Sequence, residues 1–268
     1  VAFRPDGQHI NKIPTYLYNR MLHPLLPFPI RGVIWYQGES NANNDAQAMA
    51  YRAQFVTLIR SWRREWESGP AATEGRQELP FLWVQLPNYG PIDSLPPLHA
   101  GWATLRESQA AALSLPATAQ VVTIDVGEAN SLHPRNKQEV GRRLALVARS
   151  VAYGEHVIYA GPTYRRHEVR GGRVTVEFDN VGGGLVSRAP FAPRAEPLRD
   201  RVLGFAVAGA DRRFVWAEAR IEGDHVVVWS DAVPNPVAVR YAWANSPENP
   251  SLYNSSGLPA PPFRTDDW

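Results

Sequence analysis

The chain has 268 residues, of which 44% are hydrophobic and 20% charged, with no cysteine and a formal net charge of +2. That length can bury the core of one or two domains without staples, and the composition excludes a disordered, collagenous or coiled-coil chain. Without Cys there is no disulfide framework, thiolate metal site or cysteine nucleophile. No apolar run approaches the ~20 residues of a membrane span. Lys12 and Lys137 are the only lysines, so the basic side is almost all Arg. Its pairs (Arg63-Arg64, Arg142-Arg143, Arg165-Arg166, Arg212-Arg213) are scattered beside acids or in turn-rich stretches. That reads as solvated surface, not as the one-sided basic face that nucleic acid needs. The start at Val1 carries no charged n-region and apolar h-region, so no targeting signal is read from it.

In chain order, Ile30 to Tyr36 reads as a buried strand. Ala46 to Trp66 reads as a helix, with Tyr51, Phe55, Leu58, Ile59, Trp62 and Trp66 stepping by three and four along one face. Gly69 and Pro70 end it. Phe81 to Leu86 is a second strand, Trp102 to Leu113 a second helix and Ala119 to Val126 a third strand. Asn136 to Tyr153 is a third helix, with Val140, Leu144, Val147, Ala148 and Val151 on one face and Gly154 after it. Continuous apolar strands separated by helices predict a parallel sheet covered on both faces. The grammar then changes to an all-β pattern. Val174 to Phe178 alternates strictly, and Arg213 to Ala219, His225 to Trp229 and Pro236 to Trp243 are further strands. Gly209-Ala210-Asp211 and Glu222-Gly223-Asp224 are turns, and Gly182 to Gly184 and Ala189 to Pro197 are loops. The expected division is an α/β domain over residues 1–160 and a β-rich domain over 161–268. Leu252, Tyr253, Phe263 and Trp268 in the last stretch predict a tail packed on the body.

Two loops can carry chemistry, because ligands in an open α/β sheet bind at the carboxyl ends of the strands. The first is Trp35-Tyr36-Gln37-Gly38-Glu39-Ser40-Asn41-Ala42, after the first strand. The amides of Gln37 and Asn41 can donate to an oxyanion, and Glu39 lies between them. Gly38 to Ala42 is one residue from a G-x-S-x-G nucleophile elbow, which makes Ser40 an alternative nucleophile. The bland reading is that Ser40 merely caps the turn. The second is Asp125 to Pro134, after the third strand. His133 suits a general base, held by a nearby carboxylate from Asp125 or Glu128. His9, His23, His99, His156, His167 and His225 lack that context. There is no metal motif. No Gly-rich phosphate loop follows a strand, so a nucleotide-dependent enzyme is not expected. Trp35, Tyr36, Trp83, Tyr89 and Trp102 can stack on a ligand or fill the core.

These stretches resemble the sialate O-acetylesterase family, a branch of the SGNH hydrolases. The likeness is carried by Leu17 to Met21 with Pro24 to Pro27, by Trp35 to Asn41, by Val122 to Asn130 and by His133 to Leu146. In the β half it is carried by Phe178 to Leu185, Pro234 to Trp243 and Pro262 to Asp266. The resemblance implies a three-layer α/β/α SGNH (flavodoxin-like) sheet, incomplete at its N-terminal side, followed by the β-rich domain. It implies hydrolysis of acetyl esters on sialic acid or other sugars by Ser/His acyl transfer, without a cofactor. It assigns the catalytic His to His133 and an oxyanion amide to Gln37, with Asn41 as second choice. A secreted or periplasmic setting is a further implication. The family's nucleophile block, of GQSN type, does not occur in this sequence. The serine is therefore expected upstream of this chain, on an N-terminal segment or separate chain that completes the site. SGNH enzymes place Asp three residues before the His, where this chain has Asn130, so Asp125 and Glu128 remain the available carboxylates. The other readings are a self-contained esterase using Ser40 and an inactive sugar-binding fragment.

Overall fold

The computed structural model describes residues 13–68, 78–189 and 198–268. Gly69, Pro70, His9 and the loop beyond Ala189 lie outside the described residues. The first half is a three-stranded parallel sheet of β1 (Val33–Trp35), β2 (Phe81–Val84) and β3 (Thr118–Val121), in that spatial order. Helix α1 (Asp45–Ser68) connects β1 to β2, and α2 (Gly101–Ala110) connects β2 to β3. Both crossovers run the same way across the sheet, so the common right-handedness of such units puts both helices on one face. Ala48, Tyr51, Phe55 and Ile59 of α1 and Leu105 of α2 bury against Phe81 and Trp83 there. Helix α3 (Lys137–Val151) covers the opposite face, where Val147 meets Leu82, Ala119 and Val121. β2 is therefore buried on both sides, which is why its four residues run apolar without alternation.

The helix ends follow local chemistry. The Asn44 side chain accepts the Gln47 N–H at 2.9 Å, and the Asn136 side chain accepts the Glu139 N–H at 3.1 Å. Each satisfies one of the orphan donors of a first turn. α3 ends at Val151, and Gly154, just beyond, turns the chain away with a φ of +73° that suits a residue without a Cβ.

The second half builds two four-stranded antiparallel sheets. One is ordered β4 (Thr163–Arg170), β5 (Arg173–Asp179), β10 (His225–Trp229), β9 (Glu218–Glu222). The other is β13 (Phe263–Arg264), β11 (Ala238–Tyr241), β7 (Phe205–Ala208), β8 (Phe214–Trp216). A short pair joins β6 (Leu185–Ser187) to β12 (Leu252–Asn254). Val174, Val176, Val226 and Val228 meet Phe205, Val207, Val239 and Tyr241 in one core. Val122 and Ile124, from the segment after β3, enter that same core. The last residues are anchored too, since Phe263 stacks on Tyr164 at 4.8 Å and Trp268 packs on Phe214 and Ala238.

Several boundaries differ from the sequence reading. β3 ends at Val121, so Asp125 sits in the following turn and not on a strand. The Arg213–Ala219 strand is two strands, β8 and β9, broken at Ala217. β4 and β7 went unread. β4 is an edge strand of mostly exposed charged residues, and β7 is an apolar run without alternation because it is buried throughout.

Candidate active site

The loop after β1 is held from below. Gly38 has φ +150°, and a Cβ there would come within 2.7 Å of Leu105 Cδ2. Close packing on α2 thus demands the glycine. Beyond it, Glu39–Asn41 forms one 3₁₀ turn. A line of hydrogen bonds runs through the loop. Trp35 Nε1–H donates to Tyr51 Oη at 3.4 Å, Tyr51 O–H to Gln37 Oε1 at 3.0 Å, and Gln37 Nε2–H to Asn41 Oδ1 at 3.0 Å. Gln109 Nε2–H adds a bond to the Gln37 carbonyl at 3.2 Å. Burial first, with the charge of Glu39 adding, pushes the Tyr51 hydroxyl up to about 12, and the bond from Trp35 only partly offsets it. Tyr51 therefore stays protonated and remains a donor. The Asn41 amide has its oxygen occupied and its N–H₂ unengaged among the described residues. Glu39 turns back and accepts the Gly38 N–H at 2.9 Å.

Ser40 is exposed in the middle of this turn. Its carbonyl accepts from Asn43 Nδ2 at 2.9 Å, and its hydroxyl makes no hydrogen bond to an imidazole among the described residues. The turn is separated from β1 and α1 by several residues on each side, and Ser40 is not among the residues of positive φ. A nucleophile elbow instead places its serine on a strained turn directly between strand and helix.

The second loop is seated against the segment leaving β2. A Cβ on Gly127 would lie 2.2 Å from both the carbonyl and the side-chain oxygen of Asn88. Gly90 N–H donates to the Ala129 carbonyl at 3.0 Å. Leu132 packs onto the cluster that contains Trp102, Leu105, Tyr36 and Tyr89. The loops after β1 and β3 therefore share one aromatic floor at the carboxyl edge of the sheet. His133 N–H donates to Ser131 Oγ at 3.1 Å, and buried Pro134 follows. The backbone around His133 is thus fixed. Its imidazole is exposed and makes no hydrogen bond or ion pair among the described residues.

The two carboxylates offered for His133 face elsewhere. Glu128 Oε1 accepts the Arg135 N–H at 2.8 Å, and its other oxygen lies 3.5 Å from Arg135 Nε. Asp125 is turned inward, its side chain 1% exposed. Arg143 grips it with two N–H donors at 2.7 Å, and Tyr253 O–H donates to Oδ2 at 2.9 Å. Burial and the neighbouring Asp125 charge hold the Tyr253 hydroxyl far above its ordinary range. Asp125 pins α3 and β12 together under the loop. Neither carboxylate is hydrogen-bonded to His133.

Some residues that shape this edge gave no local signal. Tyr51 reads as one more member of an apolar stripe, and Tyr253 is 128 residues from the carboxylate it serves. Arg106, fully buried on α2, donates among the described residues only to backbone carbonyls, those of Leu86, Pro87, Ala244 and Asn245, at 2.6 to 2.8 Å. It ties the segment after β2 to the turn after β11. Of the candidate sugar-stacking aromatics, Trp83 and Trp102 are buried in the core. Among the described residues no group of three or more His, Asp or Glu could hold a metal ion, and no helix is long and apolar enough to cross a membrane.

Residues 6–150 match the model of a family described as carbohydrate esterase, sialic acid-specific acetylesterase. The chain belongs to that family. Sialate O-acetylesterase of Mus musculus is 32% identical over 268 residues, spanning 93% of this chain and 47% of that protein. The Homo sapiens protein of the same name is 31% identical over 270 residues, spanning 93% of this chain and 48% of its own length. A solved carbohydrate acetylesterase from Xanthomonas citri superposes with a TM-score of 0.82 at 49% identity, covering 96% of this chain and 55% of that one. The chain thus spans about half the length of the relatives it matches. This likeness agrees with an SGNH-like α/β fold carrying a β-rich part.

Proposed function

We propose that this chain carries the general base and an oxyanion donor of a carbohydrate O-acetylesterase, and that the nucleophilic serine comes from outside residues 1–268. The observation that carries the reading is the unengaged His133 imidazole on a clamped loop, at the same sheet edge as the unengaged Asn41 amide. In this mechanism the serine attacks the acetyl carbonyl while His133 takes its proton. The N–H₂ group of Asn41 donates to the developing oxyanion, an effect worth roughly 3 to 4 kcal/mol per donor in such sites. Gln37 positions that amide by engaging its oxygen, and Tyr51 positions Gln37. His133 then protonates the leaving sugar oxygen, and water reverses the cycle. Asp125 and Glu128 act by holding the loop.

β1 supports a contribution from further polypeptide. Among the described residues its only strand neighbour is β2, and Ile34 stands 66% exposed on its α3 side. A further strand would pair with the open edge of β1, and a further helix packed on that face would cover Ile34. The names of the relatives point to acetylated sialic acid or other acetylated sugars as the substrate.

Fluorophosphonate labelling followed by peptide mass spectrometry tests the proposal. The expected result is no adduct within residues 1–268, together with a His133-dependent adduct elsewhere when the longer polypeptide is labelled. An adduct on Ser40 that depends on His133 would overturn it in favour of a self-contained esterase.

A further inference from the structure

A cleft of 310 Å³ opens on the β-rich half between Trp216, Glu218, Arg201, Glu248 and Asn249. We propose that it is a binding subsite for a neutral saccharide unit. Trp216 is 39% exposed, yet its Nε1–H donates to the Ser94 carbonyl at 2.9 Å. That bond fixes the plane of the indole and leaves a flat apolar surface for ligand. Glu248 and Asn249 are exposed, and their side chains make no hydrogen bond among the described residues. Asn249 has φ +45°, a conformation Asn tolerates better than most residues, at the turn that presents both side chains. A rigid aromatic plane beside a free carboxylate and a free amide suits a sugar. The C–H face of a pyranose or furanose lies on the indole, and adjacent hydroxyls reach the polar groups.

The charge selects within that class. Two carboxylates, Glu218 and Glu248, face one guanidinium, Arg201, whose Nη2 lies 3.5 Å from Glu218. Arg220, the next cation along β9, is turned over the ring of Trp229 at 5.9 Å. The local field is negative, which disfavours an anionic sugar. The cleft also shares its scaffold with the site. Ser94 belongs to the segment between β2 and α2, and Asn245, just before Glu248, accepts the Tyr89 N–H at 3.2 Å and the Trp102 N–H at 3.1 Å. A saccharide chain held at Trp216 is therefore held beside the segment on which the His133 loop is seated. The inference extends the carbohydrate reading above and does not depend on catalysis.

The test is binding without turnover. The intact chain is titrated with unacetylated xylohexaose and maltohexaose as neutral probes and N-acetylneuraminic acid as the anionic one, by calorimetry and tryptophan fluorescence. At least one hexasaccharide is expected to bind, with affinity falling about tenfold in Trp216→Ala. Glu248→Gln, at an exposed position, is expected to weaken binding severalfold with an unchanged circular dichroism spectrum. N-acetylneuraminic acid is expected to bind more weakly than either hexasaccharide. No binding of either neutral probe, or binding that both variants retain, overturns the proposal. Trp216-dependent binding of N-acetylneuraminic acid at equal or higher affinity overturns the neutral class. An esterase that works without Trp216-dependent binding sinks this inference alone, and Trp216-dependent binding in the longer polypeptide without His133-dependent acetyl ester hydrolysis sinks only the catalytic one.

Discussion

Asp125→Ala separates a structural carboxylate from a catalytic one. Asp125 accepts three charge-assisted hydrogen bonds inside the protein, two from Arg143 at 2.7 Å and one from Tyr253 at 2.9 Å. Its removal leaves a guanidinium 2% exposed without its main counter-charge. Arg143 keeps bonds to the Val122 carbonyl at 2.6 Å and to Glu139 at 2.7 Å, which limits the damage. Breaking a buried pair from one side costs about 3 to 5 kcal/mol, against a typical total stability of about 5 to 15 kcal/mol. Unfolding entropy of about 2.1 cal/mol/K per residue gives roughly 0.56 kcal/mol/K for a chain of this size, so Tm falls by about 5 to 9 °C. Tyr253→Phe removes one bond to a charged acceptor and costs about 1.5 to 3 kcal/mol. Denaturant unfolding of both single variants and the double gives the coupling between them, expected at about 1 kcal/mol or more. A loss below about 0.5 kcal/mol in Asp125→Ala would refute the argument, since that is the size of an ordinary surface change. So would a collapse of esterase turnover at unchanged Tm, the signature of a carboxylate serving His133.

Four further outcomes follow from named contacts. Gly127→Ala forces a Cβ to 2.2 Å from Asn88 oxygens, so the His133 loop must shift; limited proteolysis is expected to cut it faster than in the parent. Arg106→Met leaves the buried carbonyls of Leu86, Pro87 and Ala244 without that donor, while the Asn245 carbonyl keeps the Tyr89 N–H; chemical denaturation is expected to show a loss of about 3 kcal/mol or more. Tyr51→Phe keeps the ring but takes the donor from Gln37 Oε1, so turnover in the complete enzyme is expected to fall about tenfold with little change in KM. Burial acts to raise the Glu139 carboxyl, but the bonds and charges of Arg142 and Arg143 outweigh it and hold it below its ordinary 4.5. Its contribution is thus complete above pH 4.5 and is lost as pH falls through the lower folded value. Glu139→Gln is expected to flatten the acid limb of a Tm against pH plot.

The α/β half was legible because its signals are local. The stripe at Tyr51, Phe55 and Ile59 is one helix face, and it buries where its period says it should. The apolar run at Phe81 to Val84 has no alternation because helices cover both faces. Both candidate loops could be placed, since each follows a strand whose apolar run announces it. The direction of a carboxylate could not. Asp125 and His133 are eight residues apart, a spacing that suits an acid–base pair. Yet Arg143, one helix away, and Tyr253, in the tail, offer Asp125 three donors in a dry interior, and the loop turns it inward to meet them. No local pattern encodes that competition.

The same long-range logic gives the β-rich half its part in the site. Tyr253 holds Asp125 from β12, and Arg106 holds Ala244 and Asn245 from α2. Asn245 in turn receives the N–H groups of Tyr89 and Trp102. A guanidinium bonded to four carbonyls brings no opposite charge to offset its desolvation, and burial accordingly pushes its pKa down. Such an arrangement stabilises little by itself. What it supplies is registry, because the four carbonyls are met only when the turn after β11 lies in one position against the segment after β2. That segment seats Gly127 and Ala129, and through them the backbone that carries His133. Under the proposed mechanism, the β-rich half acts by setting where the imidazole stands, and a variant there is expected to lower turnover without touching a reacting group.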